Sequence, residues 1–248
     1  MADAKTPEFN RFRQVKGIFA HRPAPGIGPQ AAGTVLKICS ELQLPLTAIL
    51  HGRGTAARSM LDLLGIEGNE KRVIFTVANR QDTEKLITLQ KERTFVGVPG
   101  HGIIIAVPIK SVGGGKTVEY LNKGPNAKYT PAFEPGYELI IAMANAGFTD
   151  DVMNAARAAG AAGGTVLHAK GTGTGADERF LKVSLAQEKE TILIVARAAA
   201  KAGIMRSILE KAGPDTEAGA LVFSLPVSVV AGFGLLEGQP PGVGLPLN

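Results

Sequence analysis

The sequence predicts an α+β protein in which one unit, ordered strand, helix, strand, strand, helix, strand, occurs twice. Three observations carry this. Self-comparison lays Thr47-Ala-Ile-Leu-His51-Gly-Arg53-Gly54-Thr55 over Gly164-Thr165-Val-Leu-His168-Ala-Lys170-Gly171-Thr172 at an offset of 117. At that offset, Val35, Ile38, Cys39 and Leu42 fall on Val152, Ala155, Ala156 and Ala159. Both quartets run i, i+3, i+4, i+7, one apolar stripe of a helix. Downstream the offset becomes 118: Glu70-Lys71 meets Glu188-Lys189, Val77-Ala78 meets Val195-Ala196, and the run 102–108 meets 220–226. Matched blocks in one order with a single-residue shift read as a duplication. The longest apolar runs, such as Ile103 to Val107 and Ile192 to Ala196, are strand length. Two βαβ halves per unit need a sheet covered by helices on one face, so each unit is expected to be a ferredoxin-like βαββαβ sandwich.

The second unit shows the elements most plainly. Tyr137 to Met143 is a continuous apolar strand. Thr149 is expected to N-cap the next helix, with Asp150 and Asp151 at its positive end. That Ala-rich helix runs out at Gly160 or at Gly163-Gly164. Thr165 to Ala169 is β-branched and strand-like, and Gly171-Thr-Gly173-Thr-Gly175 opens a loop. Thr191 to Ala196 is a third strand, the stretch around Ile204 to Leu209 a second helix, and Leu221 to Leu225 the closing strand. The expected boundaries are 14–112 for the first unit, 113–135 for a Gly-, Lys- and Asn-rich linker with a short ordered piece at Val118 to Leu121, 136–234 for the second unit, and 235–248 for a C-terminal tail.

Composition excludes several classes. Hydrophobic residues make up 45% of the 248, so the chain is not a disordered one. No run approaches the ~20 apolar residues of a membrane helix, and MADAKTPEFNRFRQVK has no apolar h-region, so neither insertion nor secretion is expected. One cysteine, Cys39, builds neither a disulfide nor a thiolate metal cage, which points to the cytoplasm. The net charge of +5 is uneven: 18 Lys+Arg stand against 10 Asp+Glu through Thr130, and 9 against 12 after it. The basic residues are scattered, without blocks or aromatic interleaving, so no nucleic-acid partner is expected.

The remaining motifs weigh little. Gly26-Ile-Gly28-Pro-Gln-Ala31 matches a G-x-G-x-x-A pattern, but the strand that should end in a carboxylate ends in His51-Gly-Arg53. Gly171-Thr-Gly-Thr-Gly175 lacks the Lys-Ser/Thr of a phosphate-binding P-loop; it is either a flexible turn or an anion-binding nest of amides. His51 and His168 occupy equivalent strand ends, and a backbone-satisfied histidine is the plainer reading of each. No nucleophile–base–acid order emerges, so no enzyme is expected.

Gly163-Gly-Thr-Val-Leu-His-Ala-Lys-Gly-Thr-Gly173, Glu188-Lys-Glu-Thr-Ile-Leu-Ile-Val195 and Gly219-Ala-Leu-Val-Phe-Ser-Leu-Pro226 together resemble the nitrogen-regulatory PII family, and the chain resembles its divergent tandem members. The first half matches through His51-Gly-Arg-Gly-Thr55, Leu63-Leu-Gly-Ile66, Glu70-Lys71 and Gly100-His-Gly-Ile-Ile-Ile105. The resemblance implies a trimeric, non-catalytic signalling protein for nitrogen or metabolic regulation. Such a protein senses an adenine nucleotide (ATP, ADP or AMP) or a small anionic metabolite between units and regulates a protein partner through a loop. It implies ligand-binding roles for Arg53, Gly54, Thr55, Arg58, Gly100, His101 and Gly102, and for Lys170, Gly171, Thr172 and Gly173. The second half departs from the pattern: Gly213-Pro-Asp-Thr-Glu-Ala-Gly219 is acidic and repels phosphate, and no Arg follows the last strand. The first half, with Arg53, Arg58 and His101, is therefore the expected nucleotide side. The divalent-cation-tolerance proteins, similar trimers, supply the rival expectation of a structural or metal-handling role. A homotrimer of chains is expected, with pairing of the two halves inside one chain as the opposing arrangement.

Overall fold

Alternating apolar residues and short β-branched runs make strands here, and Ala- and Leu-rich amphipathic stretches make the helices that cover them. A computed structural model describes residues 14–21, 30–55, 70–96, 102–109, 120, 136–171, 179–180, 183–184 and 188–232. In chain order these are β1 (Gln14–His21), α1 (Gln30–Glu41), β2 (Thr47–Gly54), β3 (Glu70–Ala78), α2 (Arg80–Thr94) and β4 (Ile103–Ile109). They continue with β5 (Tyr137–Asn145), α3 (Thr149–Ala158), β6 (Thr165–Lys170), β7 (Arg179–Phe180), β8 (Val183–Ser184), β9 (Glu188–Arg197), α4 (Ala198–Ala212), β10 (Leu221–Val227) and β11 (Val229–Ala231). β7 and β8 form a small hairpin of their own.

The other nine strands make one antiparallel sheet in the order β10-β5-β9-β6-β2-β3-β1-β4-β11. β10 and β11 are its two ends, yet only Ser228 separates them in the chain. The sheet is therefore curled on itself. Ser228 fastens the seam by donating from its amide and its hydroxyl to the Ala106 carbonyl, at 2.8 and 3.0 Å.

Three apolar clusters follow from the curl. On the helix side, Val35, Ile38 and Cys39 of α1 and Leu86 and Ile87 of α2 pack on Ile74 and Ile104. Val152, Met153, Ala155 and Ala156 of α3, with Ile204 and Ile208 of α4, pack on Ile140, Ile192 and Ile194. The concave side holds a third cluster drawn from both parts of the chain: Val73, Ile105 and Val107 meet Leu139, Leu167, Val195 and Val227. Both predicted helix stripes are inward, with Val35, Ile38, Cys39, Val152, Ala155 and Ala156 buried.

Some local expectations are corrected. Phe148, not Thr149, is the N-cap of α3 and makes no side-chain cap bond; Thr149 is the first helical residue and its hydroxyl is used elsewhere. α2 does have a side-chain cap: Asn79 accepts from the Asp82 amide at 2.8 Å. Several elements outrun their predicted spans, notably α4 at 15 residues and β9 at 10. Most of the predicted linker and the tail lie outside the described residues. Tyr120 is the exception: its hydroxyl donates to Asp82 near the start of α2 at 2.6 Å, and its side chain packs on Val77 and Ile109.

Candidate functional site

The most polar region described is the seam where β2 meets β6. Gly52, Arg53 and Gly54 pair with Leu167, Val166 and Thr165. The register carries on through Thr55, whose amide donates to the Gly164 carbonyl at 3.0 Å. Gly52 is required by this approach: a β-carbon there would stand 2.5 Å from the Val166 carbonyl oxygen. Thr55 also accepts the Gly164 amide on its hydroxyl at 2.8 Å, and Arg157 of α3 donates to the Thr55 carbonyl.

Arg53 leads the next layer. Its guanidinium reaches Glu190 Oε1 at 2.7 Å, and its other contact is the Thr149 hydroxyl at 3.4 Å. Glu190 is 2% exposed. Thr149 donates to its Oε2 at 2.5 Å and the Gly147 amide to the same oxygen at 3.3 Å. Burial alone raises the Glu190 carboxyl. The hydrogen bonds from Thr149 and Arg53, the Arg53 charge and the Gly147 amide together outweigh it and hold the group below the ordinary carboxylate range. A buried carboxylate beside the otherwise apolar run Thr191 to Ala196 is thus satisfied three times over.

The same ladders carry histidines. His21 is in register with Arg72, Arg72 with His51, and His168 with Glu190. Extending the β2–β6 register by one residue sets His51 opposite His168. Arg72 donates to His51 Nε2. Lys170 turns to Glu188 on the adjacent strand at 3.3 Å, both side chains being mostly exposed.

The predicted ligand residues therefore divide. Arg53, Gly54, Thr55, Lys170 and Gly171 all lie at this seam, but Arg53 and Thr55 are occupied in joining the two parts of the chain. Gly102 sits apart, at the start of β4 with φ 121°, close against Gly232. Arg58, Gly100, His101, Thr172 and Gly173 lie outside the described residues. Among the described residues, no group of three or more His, Cys, Asp or Glu could hold a metal ion. No described helix is long and apolar enough to cross a membrane. Sequence reasoning passes over Glu190, Thr149 and Arg72 as site residues. One signal is present: at the offset of 118, Glu190 falls on Arg72, a reversal of charge at matched strand positions.

No family model matches the chain, and no curated protein does. Among solved structures it is similar to Arabidopsis thaliana PII bound to citrate, at 20% identity over 38% of this chain and 78% of that one, with a TM-score of 0.31. It is also similar to a microcompartments protein from Desulfitobacterium hafniense (10% identity, 88% and 96% covered, TM-score 0.24). A mutant chlorite dismutase from Candidatus Nitrospira defluvii follows (10% identity, 86% and 92% covered, TM-score 0.23). Likenesses this weak carry no argument about fold or function.

Proposed function

We propose that the chain is a PII-like regulatory protein, a duplicated pair of ferredoxin-like units that senses a small anionic metabolite or adenine nucleotide and modulates a protein partner without catalysis of its own. One observation carries this beyond the sequence resemblance. Segment 56–69, which joins the second and third strands of the first part, follows directly on the β2 end of the polar seam, and its counterpart 172–187 follows β6, the other strand of that seam. A ligand held at that seam is placed to order either segment and so change the surface offered to a partner, a population shift between loop states. The duplication is supported by strand order: residues 14–109 contribute β4-β1-β3-β2 and residues 137–227 contribute β10-β5-β9-β6.

Nitrogen regulation and assembly as a homotrimer belong to the same reading. Exposed Met143, Leu221 and Phe223, on neighbouring strands at one end of the sheet, favour self-association. The experiment is a thermal-shift series with ATP, ADP, AMP, 2-oxoglutarate and divalent cations, joined to light scattering on a sizing column. Native-state binding raises the melting temperature by mass action. An anion-specific rise and a mass of three chains uphold the reading. A rise with divalent cations alone transfers it to the metal-handling alternative.

A further inference from the structure

We infer that Arg72, with His51 beside it, forms an oxyanion subsite on the helix-side face of the β2–β3 ladder. The inference rests on the anion-sensing reading and locates the anion.

The argument starts from charges that are spent and charges that are not. At the seam, Arg53 is bound to Glu190, and Lys170 to Glu188. Among the described residues, Arg72 has His51 Nε2 as its hydrogen-bond partner and no carboxylate. A guanidinium carries five donors in a planar fork suited to phosphate or carboxylate, and one accepting ring nitrogen neither fills that fork nor neutralises its charge. Acceptance at Nε2 also puts the neutral His51 proton on Nδ1, leaving the ring a donor for a bound anion. His51 is exposed and Arg72 half-buried, so an anion can reach both.

The local symmetry strengthens the case. Residues paired across β2 and β6 have numbers related by a single dyad, with His51 and His168 flanking it. That dyad sets Arg53 against Glu190 on one side. At the matched positions on the other side the sequence has Arg72 where the first side has Glu190, while Lys170, the counterpart of Arg53, pairs with Glu188. Thr149, which donates to Glu190, has Ala32 as its counterpart. Arg53 is thus paired with a buried acid, whereas among the described residues Arg72 is paired with none. Glu70, exposed two residues back along β3 on the same face, is in register with Arg53 on the neighbouring strand.

Calorimetry at low salt with inorganic phosphate, ATP and 2-oxoglutarate tests this on the full chain, for wild type and the variants Arg72→Gln, Arg72→Glu and Lys170→Gln. Arg72→Gln is expected to weaken the bound anion tenfold or more by removing a charge-assisted contact, and Lys170→Gln, whose side chain is paired with Glu188, to leave it within about twofold. Arg72→Glu is expected to abolish binding, and a ligand-free melting temperature close to that of wild type tells a lost site apart from a folding defect. Which of the three anions binds distinguishes a phosphate from a carboxylate ligand. Wild-type binding that survives both Arg72 variants overturns the subsite and leaves the sensing reading standing. A wild type that binds none of the three overturns both.

Discussion

Replacing Arg53 with alanine is expected to destabilise the fold rather than only to weaken a ligand. Glu190 is 2% exposed, and Arg53 is its one cationic partner among the described residues. Breaking a fully buried pair from one side costs about 3–5 kcal/mol, because a charge is stranded away from water. Here the Arg53 side chain is 48% exposed, so water enters where it leaves and screens part of that loss. A charge-assisted hydrogen bond is worth about 1.5–3 kcal/mol, which sets the expected loss near 2 kcal/mol. For a chain of this size that lowers the melting temperature by about 4–8 °C. Glu190→Gln should cost less, about 1 kcal/mol, since it strands no buried charge and returns an accessible guanidinium to water. The pH dependence has a fixed sign. The Glu190 carboxyl is depressed in the folded state, so its contribution is present above the ordinary carboxylate range and is lost as pH falls through the folded value. Arg53→Ala should therefore flatten the acid limb of a stability–pH curve. Urea denaturation from about pH 3 to 8 reads both effects. A variant within about 0.5 kcal/mol of wild type, with an unchanged acid limb, would refute the account of the Arg53–Glu190 strut.

Four further outcomes follow. Gly52→Ala drives a β-carbon to 2.5 Å from backbone, and denaturation should show a loss of about 1–3 kcal/mol with β2 and β6 levered apart. Gln90 is fully buried, and among the described residues neither of its side-chain amide atoms has a partner; Gln90→Met should raise stability by about 1 kcal/mol in the same assay. Tyr120→Phe removes the bond to Asp82 and should cost about 1 kcal/mol while leaving the ring contacts with Val77 and Ile109 in place. Cys39 is buried and its thiol is raised by burial, so a thiol reagent at about pH 8 should label it only as fast as the protein opens, and at once in denaturant.

What is legible in the sequence is the periodic part. Val35, Ile38 and Cys39, like Val152, Ala155 and Ala156, recur at helical spacing because one helix face must be buried, and that requirement writes itself into local order. The seam leaves a fainter trace. Arg53 and Glu190 are 137 positions apart, and nothing in either neighbourhood announces the other. Thr149 reads as an N-cap because a threonine before two aspartates usually is one; a buried carboxylate on β9 is the stronger acceptor for its hydroxyl. The in-chain pairing of β2 with β6 likewise depends on Gly52 having no side chain, and a glycine beside Arg53-Gly54 reads as well for a loop base as for a strand contact.

The seam joins two backbones of like register with unlike chemistry, and the difference bears on what such a protein can do. A symmetric pair of Arg–Glu struts would leave no charge to spare. Equal cations on both sides would bind anions but weaken the junction they sit on, because like charges facing each other at a strand pair are destabilising. The observed arrangement separates the two tasks. Arg53, Thr149 and Gly147 close one side, each donating to the Glu190 carboxylate. Across the dyad, Arg72 stands at the position matched to Glu190, and Lys170, matched to Arg53, pairs with Glu188. A bound oxyanion at Arg72 and His51 would then bridge β2 and β3 as well as fill a site. Its arrival would be felt at the ends of the segment 56–69, which joins those two strands.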